Sequence, residues 1–266
     1  MITSTSNIKV KRLVSLKKKK KLRDSEKVFL IEGPRMFREV PKSSLLEIYA
    51  TRSFMEKEEE SVKEKAASSG IMPEFLSDAV FEYVSDTKTP QGILCVVRQT
   101  EKSLGEVTGG DNPLLLVLDN IQDPGNLGTI LRTAEGAGIT GIIMSGDCAD
   151  VYNPKTIRST MGSIYRMPFV YVKELTEIIR RLQQEDFCFF AAHLEGSSSY
   201  DEVCYRGKSA FLIGNEGNGL KKEVAECADQ YIKIPMCGQV ESLNAAVAAS
   251  VLMFEAARQR RLLHSC

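Results

Sequence analysis

The sequence predicts an α/β protein: a C-terminal, mostly parallel sheet with helices on both faces, preceded by a smaller N-terminal α/β domain. Three observations predict it. Short apolar runs alternate with helix-length segments along nearly the whole chain. The runs in the second half lack polar alternation, as parallel strands covered on both faces do. The stretch 100–112 breaks the pattern with Gly105, Gly109, Gly110 and several charges. It reads as a linker between domains at 1–99 and 113–266.

In order, residues 7–23 read as a basic helix, and Val28 to Gly33 as a short strand. Pro34 suits the first position of a helix over Arg35–Val40. Strands are expected at Leu45–Ala50, Met72–Leu76 and Gly92–Val97, with helices at Met55–Ala67 and Asp78–Val84. After the linker, strands are expected at Pro113–Leu118, Gly141–Met144, Phe169–Val172, Cys188–Ala192, Ala210–Ile213 and Tyr231–Ile234. Helices fall at Leu127–Ala137, Glu174–Gln184 and Leu243–Arg260.

The chain has 266 residues, 43% of them hydrophobic, enough for packed cores. Its seven cysteines are an odd number with no C-x-x-C pair, which fits reduced thiols in the cytoplasm. The first residues are polar and then lysine-rich, and no apolar run approaches the ~20 residues of a membrane helix. The expectation is a cytoplasmic protein with no membrane partner. His193 and His264 are the only histidines, with no Cys or acidic cluster at ligand spacing, so no metal is expected. Gly136-Ala-Gly-Ile-Thr-Gly141 spells a dinucleotide fingerprint but follows a helix and precedes a strand, the reverse of the required order. There is no phosphate loop and no serine elbow.

Net charge is zero, but it is unevenly placed. Residues 1–100 hold 19 Lys+Arg against 14 Asp+Glu, and residues 1–27 hold ten against two, including the run Lys17, Lys18, Lys19, Lys20, Lys21. Such a run is either a solvated face or the footprint of a phosphate-backbone binder.

Ligands of parallel sheets bind beyond the carboxyl ends of strands. Three segments lie there. The first, Asp119 to Ala134, holds Pro124 and Gly125 in a turn, Asn126 as a helix cap, and Arg132 set among Ile130, Leu131 and Ala134. The second, Phe211 to Leu220, runs a strand into three glycines within six residues, with Glu216 among them. The third, Ile234 to Val251, enters a long helix that Ser242 can cap, with Leu243 and Asn244 in its first turn. Leu243, Val247, Val251 and Phe254 form an apolar stripe on that helix. Ala245, Ala246, Ala248 and Ala249 would also let another helix approach closely.

Together the three segments resemble, in order and spacing, the motifs of the SpoU/TrmH family of the SPOUT class of RNA methyltransferases, over residues 113–262. The match rests on the Asn126–Arg132 spacing, Gly214-Asn-Glu-Gly217, and Ile234-Pro-Met236 followed by Glu241-Ser-Leu-Asn244. Phe29 to Gly33 with Arg35, and Gln91-Gly92, are similar to the family's substrate-binding domain, a ribosomal-protein-like α/β fold. The resemblance implies a trefoil-knotted C-terminal domain, a homodimer, S-adenosylmethionine as cofactor, and 2′-O-methylation of a ribose in RNA, 23S ribosomal RNA before transfer RNA. It implies that Arg132 meets the ribose hydroxyl. Asn126 would orient Arg132 or the ribose, and Glu216 would hold Arg132 or RNA groups. Ser242 and Asn244 would shape the site. The backbone at Leu212, Ile213, Gly214, Asn215 and Gly217, at Ile234, Pro235 and Met236, and at Leu243 would hold the cofactor. Lys17 to Lys21 and Arg35 would contact RNA. A non-catalytic RNA-binding or ribosome-assembly factor is the alternative from a different class. The set Asn126, Arg132, Glu216, Ser242 and Asn244 counts against it, because a binding module has no use for all five.

Overall fold

The computed structural model describes residues 1–263 apart from Glu59, Glu195 and Glu241. Glu241 of the third motif and His264 therefore lie outside the described residues. By internal contacts the chain forms two units, Met1–Thr100 with Asp150–Tyr165, and Glu101–Ala149 with Arg166–Cys266. The elements run α1 (Ile8–Lys18), α2 (Lys20–Glu26), β1 (Val28–Glu32), α3 (Pro34–Glu39), β2 (Leu45–Ala50), α4 (Arg52–Lys57), α5 (Glu60–Ser68), β3 (Glu74–Phe75), α6 (Asp78–Val84) and β4 (Ile93–Arg98). They continue with α7 (Leu104–Thr108), β5 (Leu114–Leu118), α8 (Pro124–Ala137), β6 (Gly141–Ser145), α9 (Pro154–Thr160), β7 (Phe169–Val172), α10 (Leu175–Gln183) and β8 (Cys188–Ala192). The last are β9 (Ser198–Ser199), β10 (Ser209–Ile213), α11 (Lys222–Ala225), β11 (Gln230–Lys233) and α12 (Ala245–Leu263).

In the first unit the sheet order is β1-β4-β2-β3. β1 and β2 pair antiparallel with β4, and β3 adds parallel to β2. Side chains alternate across the strands. Val28, Leu30, Leu94 and Val96 pack with Val10, Leu13 and Leu16 of α1 and Val80, Phe81 and Val84 of α6. On β1's other face Phe29 stacks on Tyr152, ring centroids 4.8 Å apart. Asp150–Tyr165 thus belongs to this unit although it lies between β6 and β7 in the chain, where a single cut at the linker would leave it in the other.

The predicted helix 7–23 is two helices. Lys19 is extended (φ −115°, ψ 105°). The bend brings Arg23 back under α1, where Nη1 donates to the Leu16 and Lys17 carbonyls at 2.6 and 3.2 Å, groups a helix end leaves open. Arg23 is 3% exposed and ion-paired with Asp150. The helix expected at 55–67 also divides, because Glu58 is extended after α4. The strand expected at 72–76 shrinks to two residues; Met72 is exposed and Pro73 cannot donate to a ladder.

In the second unit the order is β7-β6-β5-β10-β8-β11-β9, and every pairing between these strands is parallel. β5, β6 and β10 are buried at all positions, which is why they read as unbroken apolar runs. Val107 of α7, Leu175, Ile179 and Leu182 of α10 and Val224 of α11 cover one face. α8 and α12 pack together on the other. The segment expected to be a plain linker is part of this core. Ser103 and Glu106 form a capping box at the start of α7, a four-residue signature visible in the sequence, and Val107 is fully buried. Gly141 belongs to the same contact. A Cβ there would lie 2.2 Å from the Val107 carbonyl oxygen, so the last glycine of the false fingerprint admits α7 against the sheet.

Candidate active site

From β5 the chain builds outward through β6 and β7, then crosses back to lay β8, β10 and β11 on the other side. β5 and β10 therefore meet where the order reverses, the place where parallel sheets open a crevice beyond their strand ends. The first two motif segments leave these two strands, and the third leaves β11.

After β5, α8 is capped by Asp123, whose Oδ1 accepts from the Asn126 N–H at 2.8 Å, with Pro124 at the first helical position. The cap expected at Asn126 is thus three residues earlier, and the Asn126 side chain is left to make other bonds. Its Nδ2 donates to Glu216 Oε1 at 2.7 Å, and its Oδ1 accepts from Asn244 Nδ2 at 3.0 Å. One carboxamide joins groups 90 and 118 residues away in the chain.

The loop after β10 closes on itself. Asn215 and Gly219 exchange both backbone hydrogen bonds at 2.9 Å. The return strand passes so near that a Cβ on Gly214 would sit 2.2 Å from the Gly219 carbonyl carbon. Only glycine fits there. Asn215 Oδ1 accepts from the N–H groups of Gly217 and Asn218 at 2.9 and 3.1 Å, and Nδ2 donates to the Asn120 carbonyl at 2.9 Å. The Asn215 side chain thus shapes the loop. Glu216 and Gly217 are exposed at the tip.

In the third segment Ile234, Met236 and Leu243 are half-buried, while Pro235 and Ser242 are exposed. Asn244, not Ser242, caps α12. Its Oδ1 accepts from the Ala246 and Val247 N–H groups at 2.9 and 3.3 Å, the second and third residues of a helix that begins at Ala245.

Residues 113–254 match the model of the SpoU rRNA Methylase family. The chain belongs to that family. Residues 7–95 match the MRM3-like substrate binding domain. The chain is 34% identical to the 23S rRNA (guanosine(2553)-2'-O)-methyltransferase RlmP of Bacillus subtilis, over 95% of its own length and 97% of that protein's. It is 36% identical to the 23S rRNA (guanosine-2'-O-)-methyltransferase RlmB of Xylella fastidiosa, over 76% and 84%. Among solved structures, an AdoMet-bound rRNA methyltransferase from Sinorhizobium meliloti has a TM-score of 0.84 at 31% identity, with 97% of both chains covered. The SpoU methyltransferase AviRb of Streptomyces viridochromogenes has a TM-score of 0.86 at 25% identity, covering 96% and 98%.

Within this SpoU methylase, Arg132 stands apart from Asn126, Glu216 and Asn244. Six residues along a helix amount to roughly 9 Å of rise and about 1.7 turns, which leaves the two side chains about a third of a turn apart around the axis. Among the described residues neither Asn126 nor Glu216 is hydrogen-bonded to Arg132, which leaves the ribose for Asn126 and RNA groups for Glu216 as the expected partners. Arg132 is exposed and makes no hydrogen bond or ion pair among the described residues.

A cluster behind the glycine loop escapes sequence reasoning. Asp119, directly after β5, is fully buried. Its Oδ2 accepts from the Lys221 N–H at 2.8 Å, and Lys221 Nζ donates to Asp147 Oδ2 at 2.7 Å. The hydrogen bond to Asp147 holds the Lys221 ammonium above the usual lysine value. Burial pushes the Asp147 carboxyl up, but hydrogen bonds from Lys221 and Ser145 outweigh it and leave the carboxyl below its ordinary range. The available signal is a charge closing a wholly apolar strand.

In the N-terminal unit, Lys18, Lys19, Lys21 and Arg35 are exposed. Lys17 departs from the expected RNA surface. Its Nζ donates to the Ser85 carbonyl at the end of α6 at 2.8 Å, and burial lowers its pKa.

Proposed function

We propose that the chain transfers a methyl group from S-adenosylmethionine to a ribose 2′-hydroxyl of ribosomal RNA, most specifically of the 23S molecule. The observation that carries this is the Asn126 carboxamide, which ties the three motif loops into one site through Glu216 and Asn244. S-adenosylmethionine is the methyl donor, and the residues suit it. A glycine loop packed too tightly for side chains at Gly214 leaves backbone groups to meet a nucleoside. Half-buried Ile234, Met236 and Leu243 offer apolar surface to an adenine. The bound cofactor supplies a methyl already activated by a sulfonium leaving group.

The protein's own task is to place the hydroxyl in line and to stabilise charge as its proton leaves. Arg132 does this as a cation. A guanidinium stays protonated to about pH 12 and beyond, so it orients the hydroxyl and stabilises the alkoxide rather than removing the proton. Asn126, Glu216 and Asn244 hold the loops at the spacing the displacement needs. Mapping 2′-O-methyl groups in RNA from cells with and without the gene tests the reading. One 23S nucleotide should lose its methyl and regain it with purified protein and cofactor. A missing methyl confined to transfer RNA would reassign the substrate, and an unchanged map would contradict the activity.

The protein acts as a homodimer in this reading. Support comes from α12, whose inner face is buried while Val247 and Phe254 are 48% and 49% exposed beside half-buried Leu243 and Val251. Sedimentation should show a dimer for the wild type and a monomer when Val247 and Phe254 are both replaced by Glu. A dimer in both would remove this face from the interface. The trefoil knot belongs to the same reading. β10 lies between β5 and β8, and Arg260 near the end of α12 donates back to the Asn112 and Gly207 carbonyls at 2.8 and 2.6 Å. The same reading places the protein in the cytoplasm, in keeping with an odd number of cysteines and no C-x-x-C pair.

RNA is drawn by the N-terminal lysines. Replacing Lys18, Lys19 and Lys21 by Gln should weaken RNA binding about equally across sequences. The salt slope should fall by roughly 0.7–0.9 for each phosphate that a lysine no longer neutralises. An unchanged affinity and slope in a filter-binding titration would rule that surface out.

A further inference from the structure

Asp119 touches the proposed cofactor loop at both of its ends. Its backbone N–H donates to the Ile213 carbonyl at 2.9 Å, where the loop leaves β10. Its carboxylate accepts from the Lys221 N–H at 2.8 Å, where the loop ends. Between those points the chain folds back through the Asn215–Gly219 pair. One residue, 102 positions before Lys221, therefore sets the span of the loop.

The chemistry of the contact is demanding. A buried carboxylate is tolerated only when paired and hydrogen-bonded. Asp119 is fully buried. Its second oxygen, Oδ1, has no hydrogen bond and lies 3.4 Å from Lys221 Nζ. That ammonium is held in turn by Asp147, and Asp147 accepts from Ser145 Oγ. Ser145 Oγ also accepts from the Asn120 N–H at 2.9 Å, and Asn120 offers its carbonyl to Asn215. The circuit closes through the first loop into the second. Asp147 sits below the ordinary carboxylate range and Lys221 above the ordinary lysine value, so both charges are present at neutral pH.

We propose that Asp119 is a positioning residue for cofactor binding, with Lys221 as its counter-ion and Asp147 as the anchor of Lys221. The buried charge holds residues 214–220 in the shape that presents their backbone to S-adenosylmethionine. This rests on the assignment of that loop to the cofactor.

The test uses the full chain and S-adenosylmethionine itself. Asp119→Asn keeps the shape and removes the charge. It should raise the calorimetric Kd for S-adenosylmethionine by about 10- to 100-fold, because a neutral amide oxygen replaces a charge-assisted acceptor and the pairing with the Lys221 ammonium is lost. The KM for RNA should stay within about twofold, and kcat at saturating cofactor should be retained, because uniform binding alone is removed. Lys221→Ala keeps the backbone hydrogen bond and should cost less, about 1.5- to 5-fold. Lys221→Arg, which keeps the charge, should recover most of that. If Asp119→Asn does not fold, the two Lys221 variants decide. Wild-type cofactor affinity in Asp119→Asn and Lys221→Ala overturns the proposal. So does a fall in kcat with an unchanged cofactor KM, the mark of a merely structural role. A wild-type chain that binds no S-adenosylmethionine fails earlier and takes the cofactor-loop assignment with it.

Discussion

Arg132→Ala is expected to lower kcat for methyl transfer by about 100- to 1,000-fold, roughly 2.7–4 kcal/mol of transition-state stabilisation. The size follows from what the side chain does and does not touch. It is exposed and has no partner among the described residues, so its removal should change stability by no more than about 0.5 kcal/mol. It makes no bond to the loops after β10 or β11, so cofactor affinity should stay within about twofold. A loss in kcat with neither of the other changes is the signature of a group that meets the reacting atoms. Arg132→Lys should recover only part of the rate, because an ammonium lacks the planar fork that orients a hydroxyl. Single-turnover kinetics with saturating cofactor is the measurement. An undiminished rate in Arg132→Ala would remove the residue from the mechanism.

The second large effect is expected at Asn126. Asn126→Ala cuts the bonds to Glu216 and Asn244 together and should lower kcat/KM by about 100-fold as the loops lose register. Asn126→Asp should be worse at neutral pH despite its matching shape. It replaces the Nδ2 donor, 2.7 Å from Glu216 Oε1, with a carboxylate oxygen. Two carboxylates that close cannot both stay ionised at low cost. Acidification should therefore return part of the activity to Asn126→Asp as one of the pair takes a proton, and none to Asn126→Ala. Equal pH profiles for the two variants would mean that Glu216 does not face residue 126 in solution.

Much of the fold was legible because its strands are buried on both faces. β5 is apolar throughout, and β6 and β10 are apolar but for a serine at one end, Ser145 and Ser209, and the expected boundaries fall within a residue or two. Helix interruptions were not legible. Five successive lysines carry no apolar rhythm to show a break at Lys19, and the break exists because Arg23 returns to the end of α1. α7 was hidden by glycines and charges, although its Ser103–Glu106 box was in plain sight. In the site, Pro124 marks the first helical position and so points to Asp123 as the cap, yet Asn126 drew the assignment. The placement of Asp150–Tyr165 and the Asp119–Lys221 contact depend on residues far apart in the chain, which no local pattern records.

The residues that carry the family resemblance do two kinds of work. Gly214, Asn215 and Asn244 build loops, by close packing, turn bonds and capping. Arg132 makes no hydrogen bond or ion pair among the described residues, and the proposed chemistry is assigned to it. Asn126 and Glu216 lie between, structural in their bonds to each other and exposed enough to meet RNA.

The claim on which the rest depends is that three distant loops form one nucleoside site beside Arg132. A crystal structure of the chain with S-adenosylhomocysteine tests it most directly. The account predicts the adenosine against the backbone of Leu212–Gly217, Ile234–Met236 and Leu243, with the Asn126–Glu216 and Asn126–Asn244 hydrogen bonds intact. A nucleoside bound elsewhere, or at one of these loops with the other two turned away, would contradict it.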